Sequence, residues 1–341
     1  MQLDMFHSVL QSHQTIETLR VPIVQKSDDV PLSSTPWIGS CLRNLESLEV
    51  NLQRNHFDVD LDNHSFLVAN APKLKSLQIR GYDKLNLATR TFPNVPLGNM
   101  TLSISEAEVL TNLEHLSLSF LDFADSTALL DEIAFWELKS LRLKHCSNMG
   151  NFFQMLLPMF RKYGSKLEIL EIEPTITPPH FNVSEISKAE LKIVNRFLES
   201  FQGLKELYIN YNYELKFKAG GLREVRAMIA HADTLKILCA DSSRSLQCFD
   251  AEILNEILAR CGKLNQLGVT IVSKGEHFTL HRKRHLDDLT GNIEIPPGSG
   301  AADRLVSKQA NFSIANTQAP TNNMTGCHSQ ISKHPNTSHA G

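Results

Sequence analysis

The chain has 341 residues, 42% of them hydrophobic and 21% charged, enough apolar material for a sizeable core, which excludes disorder of the chain as a whole. Its formal net charge of -3 excludes an overall electrostatic pull toward nucleic acid or an anionic membrane. Residues 1–10 lack a basic stretch followed by an apolar run, and no segment approaches about 18 consecutive apolar residues, so neither a signal peptide nor a membrane helix is expected and the expected compartment is the cytoplasm or the nucleus.

In chain order, Phe6, Val9 and Leu10 are spaced as one helix face, and a short apolar motif follows at Ile16, Leu19 and Val21. The same apolar-x-x-apolar-x-apolar unit returns at Leu45, Leu48 and Val50, at Leu74, Leu77 and Ile79, at Leu113, Leu116 and Leu118, and at Leu138, Leu141 and Leu143. It continues at Leu167, Leu170 and Ile172, at Leu204, Leu207 and Ile209, at Leu235, Leu238 and, weakly, Ala240, and at Leu264, Leu267 and Val269. Successive starts lie 29, 29, 39, 25, 29, 37, 31 and 29 residues apart, so four of the eight intervals are equal and the longer ones hold loop insertions. The segment around Leu97, Met100 and Leu102 reads as such a loop. Within each unit the alternation of apolar and polar residues predicts a strand with one buried face.

Between the strands, amphipathic helices are expected. Ser187 and Glu190 are spaced as a capping box with Ile186 and Leu191 as its staple, after which Leu191, Val194, Phe197, Leu198 and Phe201 form one apolar face. Asp250 suits an N-cap, Ile253, Leu254, Ile257, Leu258 and Cys261 an apolar stripe, and Gly262 a C-terminal stop. Shorter helices are predicted over Leu222 to Ile229, Phe152 to Phe160 and Leu129 to Trp136, with Pro158 expected to end or kink the one that contains it.

About one helix's worth of sequence precedes Ile16, so the array is expected to begin in mid-solenoid, as in a truncated product of a longer parent. From about Lys274 the chain is poor in aromatics and rich in Ser, Asn, Thr, His, Gly and Pro. That predicts a repeat domain over 1–274 and a disordered low-complexity tail over 275–341. The basic cluster His281-Arg282-Lys283-Arg284-His285 in that tail reads as a solvated charge run, and the histidines from His277 onward have no metal-site spacing. The six cysteines show neither CxxC pairs nor a disulfide framework.

Two units run on as Leu138-x-x-Leu141-x-Leu143-x-x-Cys146 and Leu204-x-x-Leu207-x-Ile209-x-x-Asn212. With them the sequence from about Ile16 to Val272 resembles the leucine-rich-repeat family, whose motif is L-x-x-L-x-L-x-x-N/C-x-L. The resemblance implies an α/β solenoid, a horseshoe of about nine repeats with parallel strands on the concave face and helices on the convex face. Units of about 29 residues and lead-ins such as Ala71-Pro72-Lys73-Leu74 and Arg260-Cys261-Gly262-Lys263-Leu264 are most similar to the repeats of F-box proteins, where the solenoid selects substrates for a ubiquitin ligase. No segment ahead of Ile16 could hold an F-box, so a Skp-type adaptor is not an expected partner of the chain as it stands. The alternatives are a Ran-type GTPase-activating protein, against which the irregular intervals argue, and a structural adaptor unrelated to ubiquitination.

Phosphate-binding glycine loops, H-E-x-x-H and G-x-S-x-G are absent from the sequence. The expected function is therefore non-catalytic protein binding, with no cofactor, metal, small-molecule substrate, nucleic acid or membrane. The third, fifth and seventh residues of each unit should face outward from the sheet. Among them Arg80, His115, Arg142 and Lys144 make a basic middle, and Glu171, Glu173 and Glu206 an acidic stretch that continues to Asp241. Tyr208 and Asn210 complete the expected partner-binding face, with Tyr208 as its best anchor.

Overall fold

The computed structural model describes residues 16–21, 38–53, 66–82, 95–96, 110–124, 127–174, 188–210, 222–241, 251–273, 276–283 and 313–316. Each of the nine motif units forms a strand: β1 (Thr18–Val21), β2 (Ser47–Gln53), β3 (Ser76–Tyr82), β5 (His115–Ser119), β7 (Ser140–Cys146), β8 (Ile169–Pro174), β9 (Glu206–Asn210), β10 (Ile237–Asp241) and β11 (Gln266–Ser273). They lie side by side in that order as one parallel sheet that does not close on itself.

The register explains why the motif is periodic. Leu19, Leu48, Leu77, Leu116, Leu141, Leu170, Leu207, Leu238 and Leu267 pair in one unbroken row across the nine strands, and all are buried. A slip of one residue in any strand would turn its leucine to the opposite face, so the apolar row pins every neighbour at once. The second residue of each unit adds a backbone row. Its carbonyl accepts from two successive N–H groups of the next unit, as Lys75 O does from Glu114 N at 2.8 Å and His115 N at 2.9 Å. Every described unit from Glu17 to Lys236 repeats this arrangement.

Helices connect the strands on the buried side of the sheet. They are α1 (Ile38–Leu42), α2 (Thr127–Glu132), α3 (Met149–Tyr163), α4 (Lys188–Leu198), α5 (Leu222–Ile229) and α6 (Ala251–Arg260), with a helical turn over 66–69. The arrangement is solenoid-like, because α3 to α6 pack on their sequence neighbours as the strands do. The core is richest in aromatic rings under α3 and α4. Phe197 lies 4.8 Å from both Phe153 and Phe160 and 5.2 Å from Phe201, ring centre to ring centre, and Phe152 stacks on Phe123 at 4.5 Å.

The apolar face predicted for α4 is buried in full, and α5 covers the predicted residues. Two expectations need correction. Pro158 does not end α3, which runs 15 residues through it. Both Pro158 and Gln154, whose carbonyl loses its i+4 donor, lie on the exposed side of α3, where water can replace the missing bond. The helix expected from Leu129 to Trp136 is α2 followed by a separate 3-10 turn at Phe135–Glu137, because Ile133 bridges to Leu110 between them. Beyond β11, β12 (Glu276–Lys283) and β13 (Ser313–Asn316) extend the sheet antiparallel. The alternating run His277-Phe278-Thr279-Leu280-His281 is a strand pattern that the polar composition of the whole span conceals, and the outer edge of β11 offers it unpaired backbone groups.

Inside the interval read as a loop, β4 (Val95–Pro96) pairs with β6 (Leu121–Asp122) as a separate two-stranded sheet. Phe6, Val9, Leu10, Ser187, Asn212 and Asp250 lie outside the described residues.

Candidate functional site

Because strand side chains alternate, the row that buries the leucines must present the residues between them on the other face. Arg80 lies on β3, His115 on β5, Arg142 and Lys144 on β7, Glu171 and Glu173 on β8, and Glu206 and Tyr208 on β9. Arg80, His115 and Arg142 are exposed, and the other five are half-buried. Asn210 ends β9 and pairs with Asp241 of β10; the side chains of both lie outside the described residues.

The four expected cations meet different partners. Lys144 Nζ lies 2.8 Å from Glu171 Oε1, and Arg142 Nε lies 3.7 Å from Glu171 Oε2, so two cations of β7 share one carboxylate of β8. His115 Nε2 is 3.9 Å from Glu114 at the edge of the face. Arg80 lies over the Phe120 ring, 5.3 Å from its centre. On the acidic side, the Tyr208 hydroxyl donates to Glu206 Oε2 at 3.2 Å. Burial, and then the adjacent Glu206 charge, push the Tyr208 phenol up to about 12, so it remains a neutral donor at physiological pH.

Two residues of this face escaped the sequence reading. Phe120 and His145 each follow the seventh residue of their unit, and their rings meet at 4.8 Å. His145 Nε2 also lies 3.6 Å from Glu173 Oε1. Both have left-handed backbones, with φ of 58° and 53°. The usual signal for that conformation is Gly or Asn, and neither residue type stands at 120 or 145, so the sequence carried no cue. One unit position later, Cys146 turns inward, and its thiol lies 3.4 Å from the carbonyl oxygens of both Leu118 and Lys144. Burial raises its pKa to about 12, which keeps it an inert packing group.

A second charged feature runs along the rim where the strands begin. From Glu46 to Lys205 the side chains of the second unit positions alternate in sign, with Lys75 Nζ 2.8 Å from Glu46, Lys139 Nζ 2.8 Å from Glu114, and Lys205 Nζ 2.5 Å from Glu168. The hydrogen bond to Glu46 raises the Lys75 pKa, and the one from Lys139 holds the Glu114 carboxyl below its ordinary value. Glu46, Lys75, Glu114 and Lys139, together with the Lys166–Glu137 pair, line a cleft of about 440 Å³. Such exposed pairs contribute little individually.

Among the described residues no cluster of three His, Cys, Asp or Glu side chains is placed to hold a metal ion, and no helix is long and apolar enough to cross a membrane. Compared with known proteins, the chain matches no family model and no curated protein sequence.

Proposed function

We propose that the chain is a leucine-rich-repeat scaffold that holds a protein partner on the outward face of its parallel sheet, as the repeats of F-box proteins do when they select ubiquitin-ligase substrates. The observation that supports this reading is the unbroken nine-strand register, which presents Arg142, Lys144, Glu171 and Tyr208 side by side on one rigid surface. Strands spaced about 4.8 Å apart cannot match helices about 10 Å across. An array that joins them one to one must curve with the strands inside. On this reading the outward face is the concave one, and a partner bound there meets many strands at once.

The reading assigns the chain no catalysis. Its test is affinity purification with the intact chain, with Arg142→Glu and Tyr208→Ala on the sheet face, and with Arg161→Glu on the helix side. Partners retained by the intact chain and by Arg161→Glu, but lost from both sheet-face variants, would support it. Identical partners in all four samples would overturn it.

A further inference from the structure

We infer that the face of β3, β5 and β7 is a docking trough for an acidic, extended peptide, anchored by Arg80 and walled by the Phe120 and His145 rings. This rests on the scaffold reading and adds the chemistry of the partner.

Three outward positions on each of these adjacent strands contain no carboxylate at all. Their charged members are Arg80, Arg142 and Lys144, with His115 also present; the remainder are serines and Gln78. Serines make a low floor between larger side chains, and Ser119 and Ser140 are in fact buried. Arg80, Ser119 and Lys144 stand in one register row. Two strand spacings therefore put the backbones of the two cations about 10 Å apart.

The charges on this face are not balanced internally. Glu171 is the carboxylate within ion-pair distance of both Arg142 and Lys144, so a net positive charge remains after that pairing. Among the described residues Arg80 has no carboxylate within that distance, and its cation rests on an aromatic ring instead. A guanidinium fixed by a ring and exposed to solvent is preorganised for a carboxylate.

The backbone gives an independent indication. Left-handed conformations at non-glycine residues cost roughly 1–2 kcal/mol each. Phe120 and His145 adopt them at equivalent positions of adjacent units, and both residues are half-buried on the sheet surface, outside the apolar core. Strain held on a surface in this way is characteristic of ligand clamps. On the far side, Glu171, Glu173 and Glu206 repel further negative charge and confine an acidic segment to β3 through β7.

The test uses the full chain and a fluorescent 12-residue peptide with Glu at every third position and Gly and Ser elsewhere, since three extended residues span about 10 Å. Fluorescence anisotropy is read at low and physiological salt for this peptide and for its Gln counterpart. The Glu peptide should bind at least tenfold more tightly than the Gln peptide, with affinity falling as salt rises. Arg80→Glu, and to a lesser degree Arg80→Gln, should weaken binding by at least tenfold, whereas Arg161→Glu should leave it unchanged. Arg80 is exposed, so circular dichroism of its variants should match the parent. Equal binding of the two peptides, no binding of the Glu peptide, or equal loss with Arg161→Glu would overturn the inference. If partner capture depended on Tyr208 while the Glu peptide was ignored, the acidic-partner inference would fail and the scaffold reading would stand.

Discussion

Gly150 of α3 packs against Glu190 of α4, and a Cβ atom on Gly150 would stand 2.5 Å from Glu190 Cγ and 3.1 Å from its Cβ. Alanine inside a helix normally stabilises by roughly 1 kcal/mol over glycine, but here the clash outweighs that gain. Gly150→Ala should therefore destabilise the chain with Glu190 present. In the Glu190→Ala background the same change should become neutral or stabilising. Urea denaturation of the four proteins measures the coupling, and additive effects would show that the helices are free to move apart.

His231 offers a pH dependence with a defined sign. It is buried against Phe201, 4.9 Å between ring centres, and neither ring nitrogen makes a well-aligned hydrogen bond. Burial lowers its pKa to about 4, although the nearby Leu198 carbonyl favours the protonated form. An unfolded histidine takes its proton near 6.5. Between these values the unfolded chain binds more protons than the folded one, so stability is full above about pH 7 and falls as the pH drops from about 6.5 to 4. The whole loss is on the order of 3 kcal/mol. His231→Leu should flatten the stability curve across that window, and a curve parallel to the parent's would refute the assignment.

Phe197 and Glu114 should separate core from surface contributions. Phe197 touches three other phenylalanine rings and is fully buried, so Phe197→Ala should cost about 3–5 kcal/mol. Glu114 sits in the exposed charge row between Lys75 and Lys139. Glu114→Gln should cost less than about 1 kcal/mol and still less at high salt. Denaturation midpoints at two salt concentrations would show whether the rim charges stabilise more than this.

At His145 the ordinary ranking of small residues should invert. With φ at 53°, glycine fits without strain and alanine does not. His145→Gly is expected to be more stable than His145→Ala by about 1 kcal/mol, with peptide binding impaired in both because the ring is lost. Alanine equal to or more stable than glycine would mean that the strained backbone relaxes when the ring is removed.

Much of the architecture is legible in the sequence. The apolar-x-x-Leu-x-apolar spacing marks all nine parallel strands, because a sheet buried on one side permits only one choice of inward residues. The helix faces at Leu191 to Phe201 and Leu254 to Cys261 were legible for the same reason, with period 3.6 in place of 2. Pro158 misled because its effect depends on which side of α3 faces water. The strand at Glu276–Lys283 was hidden because composition averages over a span, whereas pairing needs only eight residues and an open edge.

For the candidate face, the sequence by itself determined which residues point outward: Arg80, Arg142, Lys144, Glu171 and Tyr208 follow from the alternation alone. Only the tertiary structure decided what each one meets. Lys144 and Arg142 converge on Glu171, Arg80 settles on Phe120, and Phe120 meets His145. The physical reason is distance along the chain. These partners lie on different units, and their meeting depends on side-chain reach and two left-handed backbones, neither of which a periodic pattern encodes.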